Sequence, residues 1–213
     1  MVVGVLLIAA ALLLFLYNQN LNRKAGETVE EVMPILIEAA EQTEEEEIST
    51  EEPAVEEAVV ATEEESTEEV VSETEETEST KYDMTTVTVD GYEYIGYLTI
   101  PALDLELSVM SSWSYPKLKV SPCRYSGSIA EGNMVICAHN YSRHFGRIKN
   151  LSEGDEVYFT DMDGNTYCYE VAEVTTLAPT AIEEMTSSGY DLTLFTCTYG
   201  GKSRVTVRCS LVS

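Results

Sequence analysis

The chain begins with an unbroken apolar run and ends in many short segments in which apolar and polar residues alternate. The apolar run, Val2 to Tyr17, has sixteen residues. As an α-helix it would rise about 24 Å, a little less than the roughly 30 Å hydrocarbon core of a bilayer. Since Asn18 to Lys24 offers no A-x-A-like cleavage site, the pattern favours an uncleaved membrane anchor over residues 1–20. A cleaved signal peptide and a buried helix are the alternatives.

The charges beside this run disagree with an anchor whose C-terminal side lies outside the cell. Arg23 and Lys24 follow the run and no basic residue precedes it, although Lys and Arg normally mark the cytoplasmic side. One hypothesis is a start codon assigned too far downstream, which would remove a basic N-terminus and shorten the span. The mass of the native N-terminal peptide tests it.

Residues 21–80 are strongly acidic. Of the 38 acidic residues of the chain, 22 lie in residues 1–80, against only two basic ones. Thr28 to Gln42 has apolar residues at helical spacing, interrupted by Pro34, which indicates a short juxtamembrane helix. From Thr43 to Thr80 there is no aromatic residue and no Gly, so this segment cannot bury enough apolar surface to offset its ordering entropy. We therefore predict a largely disordered acidic stalk over residues 21–80.

The acidic composition also excludes one class of function. The formal net charge is −26, whereas binding to nucleic acid needs clustered Lys and Arg to displace counterions from the phosphates. No nucleic-acid partner is expected.

Residues 81–213 have the pattern of a mainly β domain. Turn signals occur at Asp90-Gly91, Asp163-Gly164 and Gly200-Gly201. Short helices are expected only around Phe145 to Leu151 and Thr180 to Met185. The predicted strands are Thr85–Val89, Tyr94–Ile100, Leu105–Met110, Met134–Ala138, Glu156–Thr160, Thr166–Val174, Leu192–Cys197 and Arg204–Val212. This many short strands favour a closed barrel or a sandwich, and periodicity does not choose between them.

The last two predicted strands form a β-hairpin with a chemically suggestive pair of residues. Cys197 ends one strand, Arg204 begins the next, and Thr198 to Ser203 form the turn. A guanidinium beside a thiol favours the thiolate and can stabilise an oxyanion. The alternative is a buried structural Cys, which the hairpin taken alone favours.

A second predicted strand, Asn133 to Asn140, brings in a histidine. It is apolar up to His139 and then becomes polar. A cysteine nucleophile needs a group that donates a proton to the leaving amine, and the chain has only two histidines. His144 is predicted to lie in a loop, so His139 is the better candidate for the proton donor.

These motifs resemble the sortase family. His139 at a strand end, Thr-Leu-Phe-Thr-Cys ending in Cys197, and Arg204 opening the final strand match the sortase signature. Tyr94 to Pro101 and Leu151 to Val157 are similar to further family segments. The resemblance implies a sortase catalytic domain over residues 81–213, with a closed eight-stranded β-barrel and a few short helices.

The resemblance also implies an activity and a set of site residues. Cys197 would attack the Thr carbonyl of an LPXTG-like sorting signal to form a thioester, which an amine of a peptidoglycan precursor, or a pilin lysine in some relatives, would resolve. His139 would act as general acid and then base. Arg204, in preference to Arg208 on the same strand face, would stabilise the oxyanion or hold the substrate backbone. The substrate-binding residues would be Thr196, Ala138, Asn140 and Ile182, the last within the segment Ala178 to Tyr190.

We expect neither a metal nor another cofactor. The five cysteines show no metal-like spacing with either histidine. Asp161 to Asn165 reads as a hairpin turn, because its Gly is misplaced for a calcium loop and no Glu follows at the required distance. Pro122 to Gly132 offers only Glu131, so calcium independence is expected.

The expected enzyme is a monomer, anchored by a single span in the cell membrane, with an extracytoplasmic catalytic domain. The resemblance is closer to class B or D sortases than to pilin-polymerising class C, since the chain shows neither a C-terminal membrane helix nor an Asp-Pro-aromatic lid. The alternatives are an extracytoplasmic cysteine peptidase and a non-enzymatic stalked β domain that binds wall polymer. Papain-like peptidases place Cys before His, which is the reverse of the order here.

Overall fold

A computed structural model of the chain describes residues 2–48 and 84–212. Within these residues a long helix, α1 (Val2–Ile48), precedes a mainly β domain that contains one short helix, α2 (Ile182–Thr186). Short 3-10 helices include one at Phe145–Asn150. The strands are β1 (Val87–Val89), β2 (Tyr92–Ile100), β3 (Leu105–Met110), β4 (Cys123–Ser126), β5 (Met134–Ala138), β6 (Glu156–Asp161), β7 (Thr166–Leu177), β8 (Leu192–Cys197) and β9 (Arg204–Leu211).

The strands form one sheet that closes on itself. The strand order is β1-β2-β3-β4-β5-β8-β9-β7-β6, and β2 also pairs with β6. That extra pairing makes β2 to β9 a closed eight-stranded barrel, with β1 as a hairpin partner at the margin of β2. The predicted eight-stranded barrel is confirmed, and the sandwich alternative is excluded. Two pairs, β3 with β4 and β5 with β8, are parallel.

Two apolar clusters bury both faces of the strands that lead to the candidate site. On β5, Met134, Ile136 and Ala138 point into the barrel core, whereas Val135 and Cys137 belong to a second cluster on the other face. All five positions of β5 are therefore buried. Successive strand residues alternate faces, so covering both faces gives a continuous apolar run instead of an alternating one.

Helix α1 packs against the barrel along part of its length. Val29 and Met33 join the barrel core, and Val32, Leu36 and Ala40 join the second cluster. This spacing is one face of a helix. Pro34, predicted to interrupt the helix, is exposed and lies inside it. Burial of neighbouring side chains offsets the roughly 3 kcal/mol that Pro costs in a helix interior.

The N-terminal part of α1 has the length and composition of a membrane span. The candidate span is a helical stretch from Val3 to Thr43 that contains an 18-residue window of mean hydropathy 1.8, none of which is buried within the protein. The helix continues past residue 20, where the anchor was expected to end, and includes residues 21–48 of the predicted stalk. Residues 49–80 of that predicted stalk lie outside the described part of the chain.

Candidate active site

Cys197, the last residue of β8, lies in a cleft at one end of the barrel. The thiol is half-buried, and the cleft has a volume of about 220 Å³. The other residues that line it are Asn140, Phe145, Gly146, Lys149, Thr196, Thr198, Tyr199 and Val205. A half-buried thiol in a cleft is accessible to a substrate, unlike the fully buried Cys123 and Cys209.

His139 is held next to Cys197 by the parallel pairing of β5 with β8. Ala138 is the register partner of Thr196, so His139 and Cys197 each follow their paired neighbour by one residue. Parallel strands lie about 4.8 Å apart, which makes the two backbones neighbours at the strand ends. The Thr196 hydroxyl donates to the Ala138 carbonyl at 2.8 Å, and the Phe145 amide donates to the His139 carbonyl at 3.2 Å. Both hydrogen bonds fix the point where the chain leaves β5.

Arg204 is the antiparallel register partner of Cys197, as the hairpin predicted. Directly opposed residues share a face of the sheet, so the half-buried Arg204 side chain is on the face that carries the thiol. Its Nη1 donates to the carbonyls of Gly201 and Ser203, both at 3.2 Å. The guanidinium is thus held over the β8–β9 turn beside the cleft.

Arg208, the competing arginine, is placed elsewhere. It pairs with Thr193, near the start of β8. Its Nη1 donates to Glu173 at 2.9 Å and its Nη2 to the Glu184 carbonyl at 3.1 Å. Since Glu184 belongs to α2, Arg208 attaches α2 to the barrel wall.

The surroundings of His139 disfavour its charged form. Burial lowers the pKa of His139 below its ordinary value, and the positive charge of Lys119 lowers it further. The Tyr141 ring lies 5.0 Å from the imidazole, centre to centre. Neither neighbour was predicted from the sequence. Tyr141 is two residues from His139, whereas Lys119 is distant in the sequence and no local pattern marks it as a neighbour.

Replacing Lys119 by Gln tests this electrostatic effect. Removing the positive charge will raise the pKa of His139 and increase the fraction of imidazolium at neutral pH. We therefore expect faster turnover at pH 7 together with an upward shift of the His139 titration, followed by NMR of the imidazole signals. The control is Lys117→Gln, whose charge acts on Cys123 and not on His139. Equal shifts in both variants would contradict the assignment.

The second histidine is unsuited to proton transfer at neutral pH. His144 is completely buried, not merely a loop residue. Burial lowers its pKa to about 4, while backbone groups of Ala25 and Val120 partly oppose that effect. The imidazole is therefore neutral at pH 7, which leaves His139 as the candidate for proton transfer.

The four predicted substrate-binding residues have different positions. Thr196 and Asn140 line the cleft. Ala138 is buried and contributes its carbonyl to the Thr196 hydroxyl. Ile182 is exposed on α2 and is not part of the cleft lining. Lys149, Tyr199 and Val205 line the cleft but were not predicted, because nothing in the local pattern distinguishes them.

Three of the remaining cysteines, Cys123, Cys137 and Cys209, are buried and therefore poor nucleophiles. All five cysteines are free thiols. Burial raises the pKa of Cys123 and of Cys209 to about 12, and that of Cys137 upward as well, so these groups stay protonated. Within residues 2–48 and 84–212 no group of three or more His, Cys, Asp or Glu is arranged to hold a metal ion.

The Asp161 carboxylate organises the turn between β6 and β7. Its Oδ1 accepts from the amides of Asp163 at 3.0 Å and Asn165 at 2.9 Å. Asp161 to Asn165 is thus the hairpin turn predicted from the sequence.

Comparisons with known proteins agree with this geometry. The family model "Sortase domain" matches residues 98–212, which is more than half of the chain. Sortase A of Bacillus anthracis is 30% identical over 54% of this chain and 57% of its own, and sortase A of Listeria monocytogenes is 28% identical over 48% and 49%. The chain thus spans about half the length of these curated relatives. Sortase C1 from Streptococcus agalactiae has a similar structure, with TM-score 0.52 and 27% identity, covering 59% of this chain and 71% of that chain.

These relatives carry both A and C designations, so the closer resemblance to classes B and D stays a prediction. The family assignment itself rests on the matched domain and on a barrel of the same architecture. The chain belongs to the sortase family.

Proposed function

We propose that the chain is a transpeptidase that cleaves an LPXTG-like sorting signal through a Cys197 thioester and transfers the protein to an amine of a peptidoglycan precursor. The observation that carries the proposal is the strand register: Cys197 pairs with Arg204, and His139 follows the residue of β5 that pairs with Thr196. Family membership supports the same chemistry.

In the first half-reaction the Cys197 thiol gives its proton to His139, and the sulfur attacks the Thr carbonyl carbon of the signal. The peptide bond after Thr breaks, His139 donates a proton to the departing amine, and the acyl group remains on sulfur as a thioester. In the second half-reaction the acceptor amine attacks this thioester and His139 takes its proton. A new amide forms and the thiol is regenerated.

Arg204 would act on the charge that develops at the carbonyl oxygen. Its guanidinium shares the sheet face of Cys197 and is steadied by the turn carbonyls of Gly201 and Ser203. A donor held in place before the reaction stabilises the oxyanion at little reorganisation cost. Thr196 and Asn140 would contact the signal within the cleft, whereas Ile182, exposed on α2, would contact it outside the cleft.

Replacing Arg204 by Gln should therefore slow turnover while leaving the barrel intact. Loss of a single oxyanion donor typically lowers kcat by about 10²–10³-fold. The matched control is Lys202→Gln, because Lys202 is an exposed cation of the same hairpin turn. Initial rates with a peptide substrate measure the difference between the two variants. Comparable losses of rate in both would show that positive charge in the turn, and not the Arg204 guanidinium itself, supports turnover.

The proposed location is the cell membrane, with α1 as a single span and the barrel outside. The apolar window of α1 supports membrane attachment, and sorting signals of secreted proteins would reach the cleft from that side. The barrel is proposed to act as a monomer.

A panel of quenched sorting-signal peptides, each with and without a nucleophilic amine, tests the function. Mass spectrometry of the products should show an amide to the added amine and release of the C-terminal remnant. If the peptide is hydrolysed and the added amine forms no product, the protein is instead a peptidase. Absence of cleavage of any peptide would favour a non-enzymatic wall-binding domain.

A further inference from the structure

The loop that carries His139 is attached to α1 close to the end of its apolar run. The Asn22 amide donates to the Ser142 hydroxyl at 2.7 Å. Arg143 forms an ion pair with Glu30, and a side chain added at Gly26 would overlap Arg143. Three successive turns of α1 therefore hold this loop.

Tyr141, in the same loop, connects the two histidines with Tyr17 at the end of the apolar run. The Tyr141 ring lies 5.0 Å from His139 and 5.5 Å from His144. Burial, and then the nearby Tyr17 phenol, raise the pKa of Tyr141. Tyr17 is the last residue of the apolar run, and tyrosine at that position is typical of the membrane–water interface.

The helix rise sets the height of the loop above the bilayer. Asn22 is five residues beyond Tyr17, which is about 7.5 Å along a helix axis. Each headgroup layer is about 5–7.5 Å thick, which is half the difference between total and hydrocarbon thickness. Ser142, bonded to Asn22, thus lies at the level of the headgroups or just above them.

The positive charge of the same loop is suited to contact with anionic lipid headgroups. Residues 139–150 contain no Asp or Glu, and besides Arg143, which pairs with Glu30, they contain the cations Arg147 and Lys149. Lys24, exposed on α1, lies at this level too. Clustered cations beside a span are attracted to anionic headgroups.

We propose that the loop of residues 139–150 docks on an anionic lipid surface, so that the Cys197 cleft opens at the headgroup layer. A substrate carried by the membrane would then meet the thiol without leaving the interface. The inference rests on the membrane attachment proposed above and not on the chemistry of Cys197.

Tryptophan quenching by brominated lipids tests this placement in the full-length protein. Trp113 is the single tryptophan, so a Trp113→Phe background gives a protein with one probe at a chosen site. Ser142→Trp is expected to be quenched at least about two-fold more in vesicles with brominated chains, because it lies only about 7.5 Å along the helix axis from the end of the apolar run. Tyr141→Trp, which keeps an aromatic ring, is a second probe in case the first disturbs the Asn22 hydrogen bond.

The matched control is Glu38→Trp, exposed on the same helix and sixteen residues beyond Asn22, about 24 Å farther along the axis. It should not be quenched. Quenching of the loop probes should also increase when phosphatidylglycerol replaces part of the phosphatidylcholine, and decrease with salt. Unquenched loop probes, or quenching equal to that of Glu38→Trp, would overturn the proposal. Since no step needs catalysis, the outcome is independent of the transpeptidase test.

Discussion

Cys197→Ala will reduce turnover of a sorting-signal peptide to the uncatalysed background and leave no acyl-enzyme. The reason is that the methyl group of alanine cannot attack a carbonyl, and no other described thiol lies in the cleft. The barrel should tolerate the change, because Cys197 is at a strand end and half-buried. Peptide cleavage followed by fluorescence, together with the thermal midpoint of unfolding, measures both effects.

The matched control is Cys168→Ala. Cys168 is also a free and half-buried thiol on a barrel strand, but it pairs with Tyr158 on β6, away from the cleft. Its replacement should leave turnover unchanged. Full activity of Cys197→Ala would remove the nucleophile from the proposal.

His139→Ala is expected to have the second-largest effect, a loss of about 10²–10⁴-fold in kcat/KM, the range typical of a general acid–base. Both half-reactions need proton transfer, and His144 cannot replace His139 because it is buried and uncharged at pH 7. Added imidazole should restore part of the rate by entering the space that the side chain leaves.

Steady-state kinetics with and without imidazole measure this effect, and circular dichroism checks the fold. A variant that keeps wild-type kcat/KM would show that proton transfer uses another group. The remaining candidates near the thiol would then be Tyr199 and Lys149 in the cleft lining.

Much of the barrel was predictable because its signals are local. The β8–β9 hairpin follows from alternation, a glycine pair and two strands of similar length, and the structure has Cys197 and Arg204 in register as expected. Strand β4 was missed, because Cys-Arg-Tyr-Ser has only four residues and no alternation. A single register pair, Met110 with Cys123, joins it to β3, so its position depends on tertiary contacts.

The docking of α1 could be predicted only in part. The apolar spacing around Val29 and Leu36 indicated a helix, but the acidic composition and Pro34 argued against a long one. What extends the helix is burial of one face against the barrel, and a partner surface formed by distant strands has no local signature.

The candidate site shows the same division between local and distant signals. The strand ends bearing Cys197 and His139 are visible in the sequence, but they are 58 residues apart. From the sequence, only the resemblance to sortases indicated that the two strand ends are neighbours. In the structure, the parallel pairing of β5 with β8 makes them neighbours. Lys119 escaped sequence reasoning, because its effect on His139 acts through space between loops.

Trapping the acyl-enzyme tests the proposed nucleophile most directly. The protein would be mixed with a sorting-signal peptide, quenched in acid, digested and analysed by intact and peptide mass spectrometry. We expect the N-terminal part of the peptide on Cys197 as an adduct that hydroxylamine removes, as a thioester requires. An adduct on Cys168 or another cysteine, or no adduct while the peptide is being cleaved, would contradict catalysis through Cys197.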